Sequence, residues 1–145
     1  MGGLLYWILG IAVGTAISLQ ATVNAVLTRS LGLAPTVMLV HVTGALAMVV
    51  PLWLFRQQSN WGAWHTVPWY AYLGGVLGVV IVSGVTYLVG RVGVTSSMTL
   101  VISTQLIVAL LIDHLGLFGA ETRPVGALKI LGVLLLIAGT RLVLR

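Results

Sequence analysis

Five apolar stretches, each close to twenty residues long, set the terms on which this chain can fold. The hydrocarbon core of a bilayer is roughly 30 Å thick, and a helix needs about 20 apolar residues to cross it. The stretches fall at about residues 4–27, 35–55, 68–88, 94–115 and 125–144. Three begin at or beside a proline (Pro35, Pro68, Pro124), a residue suited to a first helical turn because it has no amide hydrogen to satisfy. The pattern predicts an all-α integral membrane bundle of five transmembrane helices, forming a single domain over residues 1–145.

Composition closes the soluble alternative. Of 145 residues 59% are hydrophobic and only 6% charged, with two acidic side chains, too few to clothe a water-exposed surface. The net charge of +5 does not point to nucleic acid, because the basic residues stand singly rather than on one face. Without cysteine there are neither disulfides nor thiolate metal sites. The opening M-G-G-L-L-Y-W lacks the basic start and cleavage site of a secretory signal, so the first stretch is expected to remain as a helix.

The breaks are short, the longest being residues 56–67. Trp53, Phe55, Trp61, Trp64, Trp69 and Tyr70 crowd around it like an interfacial aromatic belt. Pro51 is expected to kink the end of the second helix. Gly10 with Gly14, and Gly74 with Gly78, have the spacing that lets helix backbones approach closely in lipid.

No H-E-x-x-H, G-x-S-x-G or phosphate-loop motif occurs, and no acid–base pair is available, so an enzyme is not expected and neither metal nor cofactor is implied. Polar side chains inside the apolar stretches carry the functional interest, since in hydrocarbon they need partners or water. Gln20 and Asn24, four residues apart, share a face of the first helix. They either border a substrate path or tie helices together. Most hydroxyls of the fourth helix, from Thr95 to Thr104, can bond back to their own backbone. Gln105 near mid-span cannot, and is the first candidate for a residue lining a cavity, with Ser97 and Thr104 as hydroxyls on the same path. His41 offers a group that titrates near neutral pH, or simply packs. Asp113, beside His114, marks either a hydrated helix end or a coupling site.

These residues resemble a known family. S-L-Q-A-T-V-N-A-V-L-T-R-S-L-G (residues 18–32) is similar to the first-helix signature of the YdcZ-like family in the drug/metabolite transporter superfamily. V-T-S-S-M-T-L-V-I-S-T-Q-L (94–106) with L-L-I-D-H-L-G (110–116) is similar to its fourth-helix signature, and L-G-V-L-L-L-I-A-G-T-R-L (131–142) also fits. The resemblance spans essentially the whole chain. It implies a transporter-like protein of a bacterial or archaeal inner membrane, related to small multidrug exporters. Such a protein would move a small organic metabolite or drug-like compound by alternating access as an antiparallel homodimer. Its marked positions fall on Gln20, Asn24, Gln105 and Asp113, while His41 departs from the small polar or apolar residue expected there. The first helix lacks the mid-span carboxylate those exporters use, so proton exchange would fall to Asp113 or His41. The competing reading is a non-transporting subunit or scaffold that pairs with a paralogue or another membrane protein. Positive charge is nearly balanced: Arg56, Arg123, Lys129 and the amino terminus on one side, Arg29, Arg91, Arg141 and Arg145 on the other. Orientation follows such charge, so insertion in both directions is expected.

Overall fold

The fold was read from a computed structural model, which describes residues 2–58 and 60–145. Ser59, inside the longest connection, lies outside the described residues. The chain forms α1 (Gly2–Leu31), α2 (Leu33–Ala47), α3 (Val49–Leu54), α4 (Gly74–Val92), α5 (Val94–Leu115) and α6 (Ala127–Val143). Short 3-10 turns connect them, and no strand occurs among the described residues. Four segments, Leu4–Leu31, Leu33–Leu54, Trp69–Val92 and Val94–Leu115, are long and apolar enough to cross a membrane. The fifth apolar stretch forms α6, 17 residues long. At about 1.5 Å per residue it runs roughly 26 Å, slightly short of the hydrocarbon core.

Two expectations about connections change. The break after residue 27 disappears because α1 runs on through Thr28, Arg29 and Ser30 to Leu31. Likewise α4 continues through Arg91 to Val92. One glycine then separates each pair of helices. Gly32 sits at φ 83°, ψ 168° and Gly93 at φ 84°, ψ 167°. That region of backbone space is essentially closed to residues with a Cβ. The two junctions are built alike beyond the glycine. Thr36 donates its hydroxyl to the Gly32 carbonyl at 2.8 Å, and Ser97 donates to the Gly93 carbonyl at 2.7 Å. Both side chains are fully buried. Gly32→Ala or Gly93→Ala is therefore expected to cost about 1–3 kcal/mol, read as a lower melting temperature in detergent. Gly10→Ala, inside α1 with open space around its position, should leave stability equal or slightly higher.

The second apolar stretch is irregular as well. Its helix is disturbed at Met48, which keeps right-handed helical angles (φ −78°, ψ −10°), so α2 and α3 continue as one span, Leu33–Leu54. Pro51 has no amide hydrogen, and its ring crowds the carbonyl four residues earlier, at Ala47. The disturbance thus falls one turn ahead of the proline. The third stretch opens with a 3-10 segment, Trp69–Leu73, before α4 begins. Trp53, Trp61, Trp64 and Trp69 are all exposed, as anchoring rings at a headgroup boundary would be. Tyr72 donates its hydroxyl to the Trp64 carbonyl and braces the connection.

The chain divides into two compact units, Met1–Tyr87 and Leu88–Arg145. In the first, α1 packs on α2. Ala21 and Ala25 of α1 are buried, as are Thr36 and Val37 of α2. Small side chains permit close helix approach where lipid removes most of the hydrophobic drive. In the second, α5 packs on α6. There the Ser103 and Thr140 hydroxyls bond to one another in a buried contact. Each also donates to its own helix, to the carbonyls of Thr99 (2.7 Å) and Leu136 (2.8 Å). Of the four spaced glycines, only Gly78 has a close neighbour outside its own helix: a Cβ there would lie 3.4 Å from His41 Nε2.

Candidate functional site

In the first unit, α1 carries Gln20 and Asn24 one turn apart, but the two amides differ in surroundings. Asn24 joins the buried stripe of Ala21 and Ala25 and is only 5% exposed. Gln20, on the edge of that stripe, is exposed. Among the described residues neither amide makes a side-chain hydrogen bond. The Asn24 side chain is buried as a whole, yet its amide atoms are not sealed off and keep access to a partner at the helix surface. Two hydroxyls are sealed off. Thr28 Oγ1 and Thr86 Oγ1 are buried and have no hydrogen-bond partner. Neither Thr28 nor Thr86 stood out in the sequence, because isolated threonines on membrane helices usually bond back to a preceding carbonyl.

His41 is half-buried on α2. Its Nδ1 lies 2.8 Å from the Val37 carbonyl. In that bond Nδ1 is the donor, since a carbonyl only accepts. Nε2 lies on the side of Gly78 of α4. The imidazole is oriented by its own helix.

In the second unit, the hydroxyls behave as the sequence suggests. Ser97 is fully buried and satisfied by its bond to Gly93, and Thr104 donates to the Leu100 carbonyl at 3.0 Å. Gln105 does not share this self-sufficiency. It lies two residues past Ser103, roughly 200° around the helix, so it points away from α6. It is exposed and makes no side-chain hydrogen bond among the described residues. Ser97 and Thr104, seven residues apart, share a face of α5; Gln105 occupies the next one. Asp113 is half-buried in the last turn of α5. Its backbone carbonyl accepts the Arg123 amide at 2.8 Å. Its carboxylate forms no ion pair among the described residues, because Arg123 pairs with Glu121 instead, at 3.1 Å. No group of three metal-ligating side chains occurs among the described residues.

Amides and hydroxyls spaced along membrane helices suit recognition of a polar solute. Residues 5–142 match the family model described as "Putative inner membrane exporter, YdcZ". The chain belongs to the YdcZ family. That match covers every segment on which the resemblance rested. Membership, with several helices long and apolar enough to span a bilayer, makes this YdcZ-family chain an inner-membrane protein of the transporter class, which is not an enzyme class. No curated protein and no solved structure matches the chain.

The Ser103–Thr140 contact is the other feature the sequence did not single out. Thr140 is the only hydroxyl in the last apolar stretch. A lone hydroxyl there was the available sign of a bond to another helix.

Proposed function

We propose that this YdcZ-family chain exports a small organic solute by alternating access, as an antiparallel homodimer of five-span subunits. The observation that carries the reading is Asn24, a residue of the packed stripe whose amide bonds nothing within the chain and is not sealed from a partner, on a helix long enough to cross the bilayer. A group kept unsatisfied within one chain is suited to bonding something that arrives later. Gln20, Asn24 and Gln105 supply the polar groups along the solute's route, with Ser97 and Thr104, each bonded to its own helix, as hydroxyls beside it. Amides and hydroxyls favour a neutral or zwitterionic cargo as much as a lipophilic cation. The five spans include α6, whose 17 residues lie at the short end of the range of about 17–25 that crosses a membrane. Both compact units together act as one transmembrane domain.

His41 and Asp113 are the groups that couple transport to protons. His41 is oriented by its Nδ1 bond to the Val37 carbonyl, and Asp113 has a carboxylate without an ion-pair partner among the described residues. In proteoliposomes, a pH gradient is expected to accelerate wild-type solute flux. His41→Gln should keep the ungraded rate while losing most of the acceleration. Equal stimulation of both proteins would remove His41 from the coupling route.

A further inference from the structure

We infer that the groove between α5 and α6 is a binding site for an anionic phospholipid. The two helices are pinned by the Ser103–Thr140 contact and leave a groove of about 610 Å³ beside it. Leu100, Ile107, Ile137 and Leu144 form its walls, and Arg141 and Arg145 stand at its mouth. The hydroxyls within reach are already engaged: Ser103 with Thr140, and Thr104 with the Leu100 carbonyl. The interior therefore has little to offer a polar guest and behaves as an apolar slot. The mouth is the opposite. Arg141 lies in the last turn of α6 and Arg145 two residues past its end, and both line the groove. Neither forms an ion pair among the described residues. Cations at a helix C-terminus complement its dipole. The dipole does not account for both of them lining the rim of an apolar slot.

A guest for such a site needs an apolar tail and an anionic head, and a bilayer supplies such molecules at high local concentration. Basic pockets at the ends of membrane helices recognise lipid headgroups in this way. A second copy of the chain fits less well. The chain has two acidic residues, and Glu121 is already paired with Arg123. Only Asp113 would remain to meet two guanidinium groups. Free phosphate would satisfy the mouth and leave the walls empty.

The test uses the full chain, delipidated and examined by native mass spectrometry with added phosphatidylglycerol or phosphatidylcholine. The wild type is expected to retain about one phosphatidylglycerol per chain and to release phosphatidylcholine. Each cation near a headgroup contributes about five-fold, so Arg141→Gln with Arg145→Gln should weaken retention on the order of 25-fold. Ile137→Trp, which fills the slot and leaves both charges, should also lose the lipid. Arg29→Gln, an exposed cation in the first unit, should retain it. Equal retention of the two lipids, or retention unchanged in both groove variants, would overturn the assignment. Displacement by millimolar inorganic phosphate would mean a simple anion site. Conversion of dimer to monomer by Ile137→Trp, which leaves the charge balance unchanged, with lipid retention intact, would give the groove to a second copy. Either result overturns the proposal.

Discussion

Asn24→Leu is expected to stabilise the protein and abolish its transport. In the folded chain the Asn24 side chain is nearly buried and makes no hydrogen bond. Leucine replaces an amide of similar size that bonds nothing within the chain, and an apolar side chain is favoured over an unpartnered amide at membrane depth. Thermal unfolding in detergent should shift upward. Solute flux in liposomes should fall at least ten-fold, because one hydrogen bond to a bound solute is worth about 1 kcal/mol and an amide can make two or more. Gain in stability with loss of function is the signature of a residue kept for its ligand. The opposite pair of outcomes, lower stability with flux retained, would make Asn24 a structural tie. Thr86→Val offers a companion test, since its hydroxyl is buried without a partner. It should likewise leave the fold intact.

The second large effect concerns orientation. With C-terminal fusions, a reporter active only in the cytoplasm and one active only outside should both give signal. Arg29, Arg91 and Arg141 lie in the last turns of α1, α4 and α6, placed to act as orientation signals. Under the five-span arrangement they share one side with Arg145, against Arg56, Arg123, Lys129 and the amino terminus. That near-tie predicts a mixture. Arg29→Gln with Arg145→Gln tips the balance and should silence one reporter almost completely, taking transport with it. Co-expression with a chain carrying Arg56→Gln and Lys129→Gln should restore transport, because the two chains then insert in opposite directions. One active reporter in the wild type would mean a fixed topology and rule out the antiparallel homodimer.

How much of this was legible in the sequence depended on how local the determining physics was. The bounds of α5 could be read directly, because Gly93 and Gly116 flank one unbroken apolar run. The behaviour of four of its hydroxyls was equally local, as Ser97, Thr99, Ser103 and Thr104 each bond to a carbonyl one turn back. The single-residue junctions were not legible. Gly32 and Gly93 end helices while Gly10 and Gly14 sit inside one, and nothing in a glycine's own chemistry separates the two uses. The disturbance at Met48 was half legible: Pro51 announced one, but its steric effect falls on the turn before it. Sequence spacing placed Gln20 and Asn24 on one face of α1. Only the packing of α1 on α2 distinguishes a buried residue from an exposed one. The Ser103–Thr140 contact joins residues 37 apart in the chain, beyond the reach of any periodicity.

The most direct test of the central claim, that the amides line a hydrated route, is thiol reactivity at their positions. The natural chain contains no cysteine, so Gln20→Cys and Gln105→Cys each introduce a single reactive group. Val80→Cys and Leu134→Cys, at exposed apolar positions on α4 and α6, serve as lipid-facing controls. In liposomes, a small charged thiol reagent is expected to label positions 20 and 105 much faster than positions 80 and 134. A transported solute should slow that labelling. Labelling at 20 and 105 as slow as at the lipid-facing controls would contradict the account and leave these amides as ties between helices.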